Sequence, residues 1–569
     1  MEEKQAAITM SGFQMALLPP SLPLRFSVAE PQGAVFTKPW VVELLLDLAG
    51  FSSDRNLVDA VAVEPSAGHG AFFSAMVERL LESCERMGRP VEDCRNSLIA
   101  YELDEESADR VRTLAIGLLM AHRIPHGLAK QLSESWVRLG DYLLESSEIE
   151  VDFVLGNPPY VRLEEIPEEI ALHYRNIYPT MRGRADLYVA FFEAGLRQLK
   201  QGATCAFICA DRWMRNQYGA ALRALVTSCY AVDFVIEMHN ANAFDDDVDA
   251  YPAITVVRKK VQGAGVVASA GPEAANSPPQ TLSATLKSVA RGEPLALPHG
   301  LRTAVVEKWF RGAEPWPCHS PEQLALLRKL EEHFPPIEAY ASVGIGVATG
   351  NDAVFITNNQ ELIEPSRLLK LAISKDIHEG CLQWSGSYLV DPWDDHGLVV
   401  LDDYPRLRDY LEAHKVVLKR RHTAANNRRG WYKTIDRVNH ALTGKPKLYI
   451  ADIKNTLDPI LDRGETYPHH NLYFIQSDHW NLEVLGGLLL SAIGQFFIES
   501  YGVRMRGGCL RFQAQYLRRI RVPDPSTLSK AQTEGLINAF RERDRKAATQ
   551  IAVELYGIEK EVMETALGY

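Results

Sequence analysis

Val151-Asp152-Phe153-Val154-Leu155-Gly156-Asn157-Pro158-Pro159-Tyr160-Val161-Arg162 is the stretch on which the reading of the whole chain turns. Val151, Phe153, Val154 and Leu155 make a short, almost wholly apolar run, the pattern of a parallel strand buried on both faces. Gly156 ends the run. Two consecutive prolines then fix two φ angles and remove two backbone donors, so Asn157-Pro158-Pro159-Tyr160 is a stiff loop. Open α/β sheets bind ligands in the crevice at the carboxyl ends of their strands, which is where this loop falls. It offers the amide oxygen of Asn157, the carbonyl of Pro158 and the face of Tyr160. Two acceptors beside a flat ring suit a planar group carrying an NH₂; a proline-stiffened loop whose Tyr only caps the core is the plainer alternative.

Working back towards the N-terminus, the same pattern recurs. Gly140-Asp141-Tyr142 offers an acid and a ring to an adenine. Leu98-Ile99-Ala100-Tyr101 reads as a strand ending in Glu102, an acid placed to accept hydrogen bonds from a ribose diol. Leu57 to Val63 is an apolar run followed by Glu64-Pro65-Ser66-Ala67-Gly68-His69-Gly70-Ala71-Phe72, a strand, a small-residue turn and a helix start. Gly68 and Gly70 let backbone approach a ligand with no Cβ in the way, although the full three-glycine dinucleotide spacing is missing. Before it, Trp40 to Leu48 has helical apolar spacing, with Thr37 placed as N-cap and Pro39 in the first turn. Free amides at such a helix start also suit a carboxylate.

Downstream, Ala185 to Leu196 reads as an amphipathic helix. Gly202–Cys209, Ala231–Ile236 and Tyr251–Val257 read as strands. Strands alternating with helices indicate βαβ units, an α/β fold with a mostly parallel sheet. From Gln262 to Pro298 the composition shifts to Ala, Gly, Ser and Pro, and 262–313 reads as a linker or excursion. A second domain is expected over 314–525. It holds the glycine-rich GIGVATGNDAVF stretch (344–355) and a helix from Leu485 to Tyr501, and residues 526–569 look helical. Residues 1–30 read as an arm on the first domain, which spans 31–261.

Composition limits the classes. At 569 residues, more than one core is expected. No apolar run reaches bilayer-spanning length, the first residues lack the basic region of a secretory signal, and the cysteines lack paired CxxC spacing. A reduced, cytoplasmic protein without a structural zinc site is the expectation. The net charge of −12 argues against a polyanionic partner only as a sum. Between Ala413 and Ile435 there are seven Lys/Arg and no acid, including Lys419, Arg420, Arg421, Arg428 and Arg429. This segment is either a nucleic-acid-facing patch or a solvated face.

Taken together, the glycine turn, Glu102, Asp141 and the NPPY loop resemble the S-adenosylmethionine-dependent adenine-N6 methyltransferases of DNA, the gamma-class enzymes of TaqI-like kind in restriction-modification systems. The resemblance implies a Rossmann-like class I methyltransferase domain, then an α+β target-recognition domain and a helical C-terminus. It assigns Thr37 to the methionine carboxylate of S-adenosyl-L-methionine, Glu64, Ala67 and Gly68 to cofactor contacts, Glu102 to the ribose, and Asp141 and Tyr142 to the cofactor's adenine. Asn157 and Pro158 would accept hydrogen bonds from the target amino group. Tyr160 would stack on a base flipped out of double-stranded DNA, with Phe244, or alternatively Tyr251, on its other side. No metal is implied. The chain shows no convincing acid-acid-Lys nuclease cluster, which leaves a restriction endonuclease as a separate partner. Protein-glutamine or RNA amino-methylation, and an inactive DNA-recognition subunit, are the alternatives.

Overall fold

The computed structural model describes residues 37–146, 149–239, 241–245, 251–293, 296–307, 310–316, 321–378, 380–421, 430–502 and 509–567. The expected N-terminal arm lies outside them. The chain forms two compact units, Met1–Ile208 with Phe244–Asp246, and Cys209–Ala243 with Asp247–Tyr569.

In the first unit the apolar runs become strands β1 (Ala62–Glu64), β2 (Leu98–Glu102), β3 (Val137–Leu139), β4 (Val151–Gly156) and β5 (Leu199–Ala210). They lie in the order β3-β2-β1-β4-β5 and every pair is parallel. Val63 sits beside Ile99 on one side and Val154 on the other. Strand order reverses at β1, so the crevice between the ends of β1 and β4 is the topological switch point, where doubly wound sheets bind ligands. The strands carry Val, Ile, Phe and Ala because helices cover both faces; Val154 and Leu155 are fully buried. Those helices include α1 (Pro39–Ala49), α2 (Ala71–Met87) and α3 (Glu105–Ala121). α3 is started by Asp104, whose carboxylate accepts from Ser107 N at 2.8 Å.

In the second unit β6 (Ala231–Glu237) pairs antiparallel with β7 (Pro252–Arg258) and parallel with β8 (Gly265–Ala270), which pairs antiparallel with β9 (Leu301–Val306). The described residues of 262–313 thus include two strands of this sheet, where composition suggested a linker or excursion. Val266, Val267 and Ala268 are buried in the sheet, and Pro279 opens a helix (Pro279–Ala290) that buries Leu282 and Leu286. Proline at the first helical position is compatible with the helix, because that N–H has no intrahelical partner.

Further on, Ser342–Ile345, Leu472–Gln476, Lys447–Ala451 and Ile460–Asp462 make a four-stranded antiparallel sheet. One core beside it draws on both Leu488 and Tyr473 and on Leu536, Phe540 and Tyr556, so the C-terminal helices pack into the same core as the preceding region. The helix predicted from Leu485 to Tyr501 is two, Leu482–Leu490 and Ala492–Tyr501, bent by 66°. Ser491 breaks it by capping the second helix with its own hydroxyl. No single helix among the described residues is long and apolar enough to cross a membrane.

Candidate active site

Gly156 ends β4 at φ +152°, where a Cβ would stand 3.5 Å from Glu64 Cγ and 3.6 Å from Pro65 Cδ. Those are ordinary contacts, so it is the backbone conformation at this turn, rarely adopted by L side chains, that calls for glycine. Asn157 then donates from Nδ2 to Thr37 Oγ1 at 3.1 Å. Thr37 also forms an antiparallel bridge with Phe244, and the Phe244 ring stands 6.2 Å from that of Tyr160, nearly perpendicular to it. Three segments far apart in sequence thus meet at Asn157.

Thr37 is not the helix cap that its position predicts. Lys38 is the N-cap of α1 and makes no side-chain cap bond; the Thr37 hydroxyl is turned to Asn157 instead. Tyr188 is a neighbour that sequence reasoning missed. Buried at the start of the helix Tyr188–Gln198, its ring lies 6.3 Å from that of Tyr160. Its aromatic character was visible, but nothing local marks which helix face meets the NPPY loop. Tyr251, the alternative to Phe244, packs its ring against His239 at 4.9 Å.

Around the glycine turn, backbone hydrogen bonds do the arranging. Ala67 N donates to Tyr101 O at 2.9 Å and Gly70 N to Ala67 O at 2.8 Å. Gly68 and Gly70 both have positive φ, +52° and +83°, and a Cβ on Gly68 would meet open space. The Glu102 carboxylate accepts from Gly68 N at 2.8 Å on one oxygen and from Leu103 N and Asp104 N on the other. It therefore fastens the tip of β2 to the turn after β1. A carboxylate has about four lone-pair sites, so about one remains for a ribose hydroxyl beside these three donors. Burial pushes the Glu102 carboxyl up, opposed by those backbone donors.

Glu64 is 1% exposed, and its Oε2 is buried without a hydrogen-bond partner. Burial, and then the charge of Glu102, hold its carboxyl well above the usual range. An orphaned buried acceptor beside an open glycine turn is what a ligand with hydrogen-bond donors would satisfy.

The loop after β3 places its two residues differently. Asp141 accepts from Leu143 N at 2.9 Å and from the Tyr174 hydroxyl at 2.5 Å. The Tyr142 ring, however, is 1% exposed, stacks on Phe191 at 5.6 Å and donates its hydroxyl to Gln198. It belongs to the core and presents no face to an adenine; only its backbone is left for a ligand.

Of the five basic residues singled out, Lys419 and Arg420 are exposed, and Arg428 and Arg429 lie outside the described residues. Arg421 is a structural residue. Its guanidinium donates to the carbonyls of Leu418, Thr349, Trp431 and Lys433 and lies over the Phe355 ring. Burial lowers its pKa. It ties the glycine-rich 344–355 stretch to the chain after 430, rather than facing a phosphate.

Comparison with known proteins adds the family. Residues 126–244 match the Eco57I restriction-modification methylase model. The chain is 41% identical over 548 residues to the Type II methyltransferase M.PaeR7I of Pseudomonas aeruginosa, covering 95% of this chain and 94% of that one. It is 38% identical to M.XhoI of Xanthomonas vasicola over 553 residues, 94% of this chain and 100% of the other. In fold it is similar to the Type IIL restriction-modification enzyme MmeI, with a TM-score of 0.53 at 13% identity over 93% of this chain and 73% of that chain. S-adenosyl-L-methionine is the cofactor that goes with this family and fold, and the open turn at Gly68, the orphaned Glu64 oxygen and the Glu102 carboxylate fit it. The chain belongs to the Type II DNA methyltransferases of restriction-modification systems.

Proposed function

We propose that this protein transfers a methyl group to the exocyclic N6 of an adenine flipped out of double-stranded DNA, as the modification half of a system whose endonuclease is a separate chain. The observation that carries the reading is the Asn157 carboxamide. It follows β4 at the switch point, is hydrogen-bonded to Thr37, and lies in one loop with Tyr160.

The adenine amino lone pair is delocalised into the ring, so the nitrogen is a poor nucleophile. Accepting its two N–H bonds at Asn157 Oδ1 and Pro158 O favours a more tetrahedral nitrogen and stabilises the charge that develops during transfer. The cofactor, when bound, supplies a methyl on a sulfonium. Glu64, the amides around Ala67 and Gly68, Glu102 and Asp141 are the groups we assign to holding it, and Thr37 to its carboxylate. Once methylated, the nitrogen carries a positive charge and releases its extra proton to water, so no further strong base is needed, and positioning of the nitrogen provides much of the rate.

A base inside a duplex cannot reach such a loop and must leave the stack. A ring held between two others needs them nearly parallel and about 7 Å apart, two carbon contacts of about 3.5 Å. Tyr160 and Phe244 stand edge to face at 6.2 Å, so capture requires one ring to turn. We assign Tyr160 to stacking and Phe244 to the opposite wall. Lys419 and Arg420 are assigned to DNA phosphates, with residues 314–525 as the recognition region.

The test is to incubate the protein with labelled cofactor and unmodified genomic DNA, then map the modified positions. The reading requires label on adenine at one short recurring sequence. Label on cytosine, or only on protein or RNA, overturns it.

A further inference from the structure

His469 and His470 lie where the glycine-rich 344–355 stretch runs beside the end of the strand Tyr467–Pro468. Val347 forms a parallel bridge with His469, Val347 N donates to Pro468 O at 2.9 Å, and His470 N donates to Val347 O at 3.0 Å. Gly346 allows this approach, since a Cβ there would stand 2.2 Å from His469 O. Consecutive residues of a strand point to opposite faces. Here the chain turns at His470, and the two imidazole rings come within 4.0 Å of each other, centroid to centroid. Asp352, 117 residues before His469, joins them from the short helix Asp352–Phe355. One ligating atom from each of the three lies within 4.8 Å of the others.

The contact between Asp352 and His469 is a poor hydrogen bond. Nε2 stands 3.4 Å from Oδ1 and 3.3 Å from Oδ2, beyond the usual range of about 2.7–3.2 Å for N–H···O. The same spacing is what two ligands of one ion require. Bonds of about 2.0–2.1 Å meeting at a tetrahedral angle hold their ligand atoms about 3.3 Å apart. His469 is 4% exposed and its Nδ1 is buried without a hydrogen-bond partner, so no strong bond on either side of the ring offsets its burial. The carboxylate is already oriented, because the Thr349 hydroxyl donates to Oδ1 at 2.5 Å, as the outer partners of metal ligands do. Two imidazoles with one carboxylate suit a transition ion, whereas magnesium and calcium prefer oxygen ligands throughout. We propose that Asp352, His469 and His470 bind a divalent transition-metal ion of the zinc class. Water completes its coordination on the exposed side, at Asp352 and His470, and the ion fastens the 344–355 stretch to the chain at 467–470. The three ligands include no cysteine, so the scattered spacing of the thiols does not bear on this site, and the methyl-transfer reading stands or falls without it.

The test uses the full chain without an affinity tag, stripped with a chelator and dialysed. Zn²⁺ and Co²⁺ are titrated by calorimetry, Co²⁺ also by its visible absorption, with Mg²⁺ as the control, and the melting temperature is read with and without Zn²⁺. The wild type is expected to bind one equivalent of Zn²⁺ and to melt at a higher temperature with it than without. Two variants remove one ligand each. His470→Ala changes an exposed side chain, and Asp352→Asn keeps the shape but loses the carboxylate. Each should melt close to the metal-free wild type and bind Zn²⁺ at least about tenfold more weakly, the loss that follows even when an outer partner is removed. The absence of Zn²⁺ binding by the wild type at micromolar concentrations would overturn the proposal. Equal Zn²⁺ affinity in wild type and His470→Ala would overturn it too, by placing the ion elsewhere, on exposed thiols such as Cys229. So would tighter binding of Mg²⁺ than of Zn²⁺, or a melting temperature that Zn²⁺ leaves unchanged.

Discussion

The loop at Asn157 and the basic segment at Arg421 are both polar stretches with several hydrogen-bonding atoms on one side chain. Their neighbours use those atoms in opposite ways. At Asn157 the carboxamide donates from Nδ2 to the Thr37 hydroxyl, a side chain on another segment of the same unit. At Arg421 three guanidinium nitrogens are spent on four backbone carbonyls, and the ring of Phe355 covers a face. One side chain is the acceptor we propose for a ligand; the other is consumed in holding the fold. Charge and position in sequence do not separate the two cases. What separates them is the partner: a side-chain hydroxyl at Asn157, backbone carbonyls at Arg421.

The sharpest way to break this comparison is Asn157→Ala. Methyl transfer should fall by about a hundredfold to a thousandfold or more, as when a transition-state hydrogen-bonding group is removed, while cofactor titration is little changed. Substantial residual methylation would place Asn157 with Arg421, among residues that only build the fold.

Arg421→Ala comes next, and its effect should be on stability. Buried carbonyls lose their donors, at a cost of about 2–4 kcal/mol in denaturant unfolding, with the salt dependence of DNA binding unaltered in whatever remains folded. The paired change Lys419→Ala with Arg420→Ala should do the reverse. Stability stays put and the slope of log K against log salt becomes shallower by about 1–2. An unchanged slope would return those two cations to the solvated face.

Tyr160→Ala should weaken capture of the flipped base by about 1–3 kcal/mol, read as a smaller rise in 2-aminopurine fluorescence at the target. A full rise would remove Tyr160 from the base pocket and leave Tyr188 or Phe244 as the stacking ring.

The smallest effect concerns Glu64. Its carboxyl is raised in the folded protein by burial and by Glu102, so ionising it opposes folding. The stability associated with the protonated form is present below the ordinary glutamate pKa and is lost as pH rises toward the folded value. Glu64→Gln removes that dependence. The melting temperature of the variant relative to wild type should therefore climb between pH 5 and pH 8, by about 2–4 °C for each 1 kcal/mol in a unit of this size. A gap that stays constant or narrows would contradict the burial argument.

Much of the first unit was legible because its determinants are local. Apolar runs such as Val151–Leu155 have few alternatives to a buried strand, and Gly68 and Gly156 mark turns that only glycine takes easily. The order of the loops after β1, β2, β3 and β4 followed from the strands. What escaped the sequence depends on partners. Thr37 occupies a plausible cap position, yet its hydroxyl meets Asn157, 120 residues away. Tyr142 reads like a ligand-facing ring in a polar loop but turns inward onto Phe191. Residues 262–298 look loose because small residues and prolines dominate, although Val266 and Val267 pack in a sheet with β6 and β9. Arg421 carries the same sequence signal as Lys419 and Arg420, and only its surroundings tell them apart.

The central claim is that the Asn157 loop presents acceptors to an adenine amino group. It is tested most directly by nucleoside mass spectrometry of duplex DNA after reaction with wild type and with Asn157→Ala, at matched cofactor occupancy. The account predicts N6-methyldeoxyadenosine from the wild type and almost none from the variant. Methylcytosine as the product, or equal N6-methyldeoxyadenosine from both proteins, would contradict it.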